Sequence, residues 1–300
     1  MFYTSTFLKG ALDSPPQERG AGGILGAPNM VRIKDIFQWI DSWAPFRYAE
    51  SWDNCGLQVG DPESQVTRVL VALDPASCVL REAQELGSQC VVTHHPLLLR
   101  PINSVRTDSW PGSIIRQALL SGISIIAAHT NLDAAAQGTN VQLKDLLGLD
   151  VIGPLDAGAV PCGDERYMGI GLVGLLPREA TLESLAAKLN GVLGGTVVRI
   201  TGDLRKQITR VAVCTGSGGS LMGKVLASGA EVFVTGDLKY HDARFAEESG
   251  LAVIDIGHFA SEKLVLEPFG DFLRSRAKSE GAELEVFVSK SETDPFQVIT

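Results

Sequence analysis

The sequence predicts an α/β protein of two interlinked domains with mostly parallel sheets and a metal site at the carboxyl ends of the strands. Two observations predict it. Short apolar runs alternate with stretches of helical length and spacing, the pattern of βαβ units. Three of those runs lead straight into imidazoles and carboxylates: Val-Val-Thr-His94-His95-Pro, Ile-Ile-Ala-Ala-His129-Thr-Asn-Leu-Asp133, and Asp-Ile-Gly-His258-Phe-Ala-Ser-Glu262. In open α/β sheets the chemistry gathers just past the carboxyl ends of the strands.

Residues Ile33 to Trp43 carry apolar side chains at helical spacing and predict a first helix. Residues 51–62 form a turn-rich segment. Arg68 to Leu73 reads as a strand, followed by Asp74-Pro75 and a helix over Ala76 to Leu86. Cys90 to Thr93 is a short buried strand ending at the histidine pair. Gly112 to Leu120 is helical, and Ile123 to Ala128 is the strand that ends at His129. In the middle, Met168 to Leu176 and Thr196 to Ile200 read as strands flanking an amphipathic helix, Leu182 to Leu193. The βα rhythm then resumes with strands at Ile208 to Cys214, Glu231 to Val234 and Leu251 to Ile256. A helix from Phe259 through Arg276 follows, broken or kinked by Pro268. Phe287 to Ser289 reads as an edge strand. The expected domains are a discontinuous metal-bearing one, 30–137 plus 230–300, and a second α/β domain, 138–229. Residues 1–29, rich in Gly, Pro and Ser, read as a disordered extension with no apolar core of a signal peptide.

A length of 300 residues allows one large domain or two ordinary ones, and 45% apolar content with 20% charged residues is that of a globular protein. The net charge of -9 argues against a general nucleic-acid or anionic-membrane binder. No run reaches the roughly 18 apolar residues of a membrane helix. The five cysteines, at 55, 78, 90, 162 and 214, lack metal-finger spacing and suit reduced thiols in a cytoplasm.

Imidazole and carboxylate donors without thiolates suit zinc, iron, manganese or nickel rather than a closed structural zinc site. Adjacent histidines in an extended segment point to opposite sides, so His94 and His95 suit two neighbouring cations better than one. His258 and Glu262, spaced i, i+4, share a helix face. Glu262 is the candidate bridge between two cations and Asp133 the candidate terminal carboxylate. Taken singly, each element has a plainer reading: a hydrogen-bonded histidine pair, a solvated helix face, a helix cap. Their coincidence at three strand exits favours metal. His129 and His241 either orient a ligand, move protons, or are structural.

These segments together resemble the Nif-three-like dinuclear metal family, whose members carry the name GTP cyclohydrolase 1 type 2 homolog. The resemblance rests on Trp52 through Gly60, Thr93 through Pro96, His129 through Asp133, Thr235 through His241, and Gly257 through Glu262. It implies His94, His95, Asp133, His258 and Glu262 as ligands of two divalent cations, and a toroidal homohexamer. It also implies hydrolytic opening of the imidazole ring of GTP with release of formate. On that reading His129 or His241 moves protons, while Lys239 and the loop Thr215–Ser220, including Gly216, Ser217 and Gly218, meet the triphosphate. The same Gly-rich loop lacks Walker spacing and reads more readily as a plain tight turn. Two further readings stay open: a two-metal phosphoesterase or cyclic-amide hydrolase, and a non-enzymatic metal-storage or scaffold protein.

Overall fold

A computed structural model describes residues 30–158, 160 and 167–297. The extension expected over 1–29 lies outside the described residues. The first helix, α1 (Ile33–Trp43), buries Ile33, Ile36, Trp39 and Ile40, one stripe at the predicted helical spacing. Strand β1 (Gly56–Val59) follows, inside the segment expected to be turn-rich. Then come β2 (Arg68–Ala72), α2 (Ser77–Leu86), β3 (Cys90–Thr93), α3 (Gly112–Leu120) and β4 (Ser124–Ala127). A single helical turn, α4 (Thr130–Asp133), leads to α5 (Thr139–Leu147). The middle holds β5 (Asp150–Asp156), β6 (Ile170–Thr181), α6 (Leu182–Val192), β7 (Arg199–Thr201) and β8 (Gln207–Ser217). Then α7 (Met222–Ala227), β9 (Val232–Gly236), α8 (Tyr240–Glu248), β10 (Ala252–Asp255) and α9 (His258–Glu262) follow. The long helix α10 (Leu266–Ser279) and strand β11 (Glu285–Val288) complete the described chain.

The strands form two main sheets. The first has the order β11-β2-β3-β4-β1, with the first four parallel and β1 antiparallel to β4. The second has the order β5-β6-β8-β9-β10-β7, with β8, β9 and β10 parallel and the other strands antiparallel. The fold is therefore mixed α/β with a parallel centre in each sheet. The parallel strands are buried on both faces. Val69, Val71 and Val92 pack on one side of the first sheet with α1 and α10. Leu70, Val91 and Ile125 pack on the other with α2 and α3. Two-sided burial explains why these strands read as continuous apolar runs.

Sheet membership divides the chain differently from the expected domains. Residues 230–300 are expected in the metal-bearing domain with residues 30–137; of these, β9 and β10 extend the second sheet, in register with β8 through Val211↔Val232 and Val232↔Ala252. Only α10 and β11 return to the first sheet. The sequence rhythm of both sheets is the same, so local pattern could not assign these strands to a partner. The final helix also breaks earlier than expected. A tight 3-10 turn, Lys263–Val265, separates α9 from α10, and Pro268 sits harmlessly in the first turn of α10, where its missing N–H has no helical acceptor to lose. No helix among the described residues is long and apolar enough to cross a membrane.

Candidate metal centre

The registers place the carboxyl ends of neighbouring strands side by side. Ala72 pairs with Thr93, and Thr93 with Ala127, so the residues just beyond β2, β3 and β4 share one edge. In the second sheet Thr235 pairs with Asp255, which sets the exits of β9 and β10 level. From these two edges the side chains of His94, His95, His129, Asp133, His258 and Glu262 meet.

Glu262, almost wholly buried on α9, stands at the middle. Its Oε1 lies 3.6 Å from His94 Nε2. Its Oε2 lies 3.0 Å from His95 Nε2 and 3.0 Å from His258 Nε2. Asp133 Oδ1 lies 3.6 Å from His94 Nε2 on the Oε1 side. One carboxylate thus faces His94 through one oxygen and His95 with His258 through the other. His95, His258 and Glu262 form one cluster of potential ligand atoms; His94, His95 and His129 form another.

The donor set fits cations. His94 Nε2 and Glu262 Oε2 are buried without an aligned hydrogen bond, a costly arrangement unless another partner completes them. The Nε2 atoms of His95 and His258 face each other at 3.3 Å, a placement suited to a shared electrophile. Their other nitrogens are tied down: His95 Nδ1 to Asp74 Oδ1 at 2.9 Å, His258 Nδ1 to Asp237 Oδ2 at 2.8 Å, and His94 Nδ1 to the Ala128 carbonyl at 3.0 Å. A carboxylate or carbonyl accepting from Nδ1–H leaves the Nε2 lone pair turned inward.

Electrostatics follow from the same contacts. Burial disfavours charge on His95, but hydrogen bonds with Asp74 and Glu262 outweigh it and push the imidazole up to about 10. His258 is likewise penalised by burial and raised to about 9 by Glu262 and Asp237. Glu262, despite the opposing effect of burial, is held well below the usual carboxylate range by the three imidazoles around it.

His129 Nδ1 bonds Asp53 Oδ1 at 2.9 Å. Asp53 is buried; its Oδ2 accepts from the backbone N–H and hydroxyl of Thr130 and from the Cys55 thiol. Burial would raise the Asp53 carboxyl, yet the His129 and Thr130 contacts hold it below its ordinary value. The fixed imidazole lines a cavity of about 320 Å³ beside Asp133, His258 and Glu262. His241 and Lys239, both exposed at the start of α8, are not in that lining.

The loop Thr215–Ser220 borders the cavity through Thr215, Ser217 and Ser220. Its glycines have other tasks. Gly216 has φ +63°, and a Cβ there would lie 2.2 Å from Glu262 Oε1, so glycine clears room for the central carboxylate. The Gly216 N–H donates to Ser261 Oγ, and the Gly218 N–H to Thr235 Oγ1. These amides are engaged within the protein.

Sequence reasoning did not single out Asp74, Asp237 or Glu292. Asp74 and Asp237 stand at strand exits, and Asp237 lies within the Thr235–His241 stretch that carries the family resemblance. Asp237 has φ +51°, the one left-handed non-glycine among the described residues, a strained state typical of functional sites. Glu292, from the segment after β11, accepts the N–H groups of Leu73 and Asp74 at 2.8 and 2.7 Å. It secures the turn that carries Asp74 to His95.

The Duf34/NIF3 (NGG1p interacting factor 3) family model matches residues 31–295. A Clostridium perfringens protein named GTP cyclohydrolase 1 type 2 homolog is 36% identical over 269 residues, covering 90% of this chain and all of its own length. A Streptomyces coelicolor protein of the same name is also 36% identical, covering 89% of this chain and 94% of its own. The crystal structure of a Staphylococcus aureus hypothetical protein superposes with a TM-score of 0.82 at 33% identity, covering 89% of this chain and 99% of that one.

Proposed function

The chain belongs to the Duf34/NIF3 family, and on that premise we propose that it is a two-metal hydrolase that cleaves a C–N bond in a nitrogen heterocycle. The observation that carries the reading is Glu262, whose two oxygens are divided between His94 on one side and His95 with His258 on the other. A bound pair of divalent cations would supply an acidified water and a Lewis acid. Zinc, iron, manganese and nickel all suit these donors.

The chain's own residues do the rest. His94, Asp133 and Glu262 Oε1 would hold one cation; His95, His258 and Glu262 Oε2 would hold the other. Asp74 and Asp237 orient the imidazoles of the second group. His129, held through Nδ1 by Asp53, would take or give a proton through Nε2. His241 stands on the exposed face of α8 and has no part in this proposal. The name of the relatives points to GTP as the first substrate to try, with ring opening and release of formate.

The test pairs metal content with product. Purified protein should carry about two first-row metals per chain, in line with a two-metal site, and Glu262→Ala should carry one or none. Metal-loaded protein should release formate from GTP above the level of a His95→Ala control. Equal metal content in wild type and Glu262→Ala would remove the shared carboxylate. Formate no higher than the control would remove GTP ring opening.

A further inference from the structure

We propose that the cavity recognises the uncharged ring portion of its substrate, a planar nitrogen heterocycle stacked on Trp52, and that its described lining offers a polyphosphate no cationic side chain. The inference rests on the hydrolase reading above and names its substrate class.

The aromatic wall comes first. Trp52 lines the cavity yet is 59% exposed, so most of the indole is open to a ligand. It meets His129 at 6.0 Å with ring planes 79° apart, so it is not stacked on that imidazole. An exposed indole beside a buried polar site is costly to leave in water and well suited to stack on a flat ring.

Charge decides the second half. The described lining contains Glu50, Asp133, Asp156 and Glu262, and no lysine or arginine. Lys224 approaches Asp156 from outside the lining and pairs with it. Four backbone N–H groups of the loop are already engaged: Thr215 N–H to Asn140 Oδ1, Gly216 N–H to Ser261, Gly218 N–H to Thr235, and Leu221 N–H to the Gly218 carbonyl. With Asp133 and Glu262 taken up by the cations and Asp156 paired with Lys224, a triphosphate would meet the Glu50 carboxylate and no cationic side chain among the described lining residues, leaving the two cations as its positive partners there. It would then compete with the ring for them. A neutral heterocycle meets no such conflict. Its N–H groups would find the Glu50 carboxylate, and its carbonyl or ring nitrogens the hydroxyls of Ser217 and Ser220. The volume of about 320 Å³ is at the small end of ligand sites, which run from about 300 to 1,000 Å³.

The experiment is calorimetric titration of the full-length, zinc-loaded protein with guanosine, GTP and inorganic pyrophosphate. Guanosine should bind at least as tightly as GTP. Trp52→Ala should weaken guanosine roughly 5- to 100-fold, the range of one lost base–aromatic stack, and Trp52→Phe should restore most of it. Pyrophosphate affinity should be unmoved by either change. GTP binding more than tenfold tighter than guanosine would overturn the proposal, as would absent guanosine binding or an unaltered guanosine affinity in Trp52→Ala. Formate is measured separately. Guanosine binding with no formate from either compound would leave this inference standing and remove purine ring opening. Formate from GTP without guanosine binding would do the reverse.

Discussion

Gly216 shows how much one residue's missing side chain decides. The sequence marks Gly216 as part of a Gly-rich turn, and a phosphate cradle is a natural reading of such a turn. The structure gives it a steric role, because its left-handed backbone passes directly against the Glu262 carboxylate. Gly216→Ala should therefore destabilise the protein by about 1–3 kcal/mol, the usual cost of a strained backbone conformation, and displace Glu262. Thermal melts and elemental analysis would read both effects. A variant with unchanged melting point and full metal content would show that the loop shifts without cost. The metal-ligand candidates themselves were legible because each lies within a few residues of the end of an apolar run. Asp74 and Asp237 were not, because an aspartate after a strand is also an ordinary turn residue. Only the 2.9 and 2.8 Å contacts to His95 and His258 distinguish them.

At the scale of elements, the segment that follows β11 closes over the exit of β2. Glu82 on α2 receives the Ser289 hydroxyl and the N–H groups of Lys290 and Ser291. Glu292 then caps Leu73 and Asp74. A contiguous path thus runs from the C-terminal segment through Asp74 to His95 Nδ1. Glu292→Ala leaves two N–H groups without their acceptor and should cost about 1–2 kcal/mol, at the lower part of the range for unmet polar groups because the site is only half-buried. It should also loosen the cation on the His95–His258 side, with affinity falling by roughly tenfold, the low end for loss of a supporting partner. Glu292→Gln, which keeps one carbonyl acceptor, should lie between. Competition titration with a chromogenic chelator measures this, and equal affinity in all three proteins would break the path. None of it was readable locally: β11 was expected as an edge strand, but its neighbour and the contacts beyond it depend on partners some 200 residues away.

For the molecule as a whole, the clustered imidazoles make stability depend on pH and metal together. Without metal, His95 and His258 have folded values of about 10 and about 9, above the ordinary imidazole value of about 6.5. Their contribution is fully present below about pH 6.5 and is lost as pH rises through 9 to 10. Glu262 is depressed below its ordinary value, so its contribution is present above about pH 4.5 and is lost as pH falls through the lowered value. The metal-free protein should therefore melt at its highest temperature between about pH 4.5 and 6.5 and at falling temperatures above that. Zinc added near pH 7 should displace protons from both imidazoles and acidify a weakly buffered solution. Melts of chelator-treated protein across the range, with proton release followed on metal addition, check both signs. A midpoint that climbs steadily to pH 10 would contradict them.

The sequence by itself determined the α/β class, the principal helices and strands, and the residues that could bind metal, because those signals are local: apolar periodicity, and donors placed within a few residues of a strand's end. Tertiary structure alone decided which strands share a sheet, which carboxylate supports which imidazole, and why position 216 is glycine. Strand pairing and donor geometry are relations between distant segments. They are settled when two sheet edges meet around Glu262, and no short stretch of sequence contains that meeting.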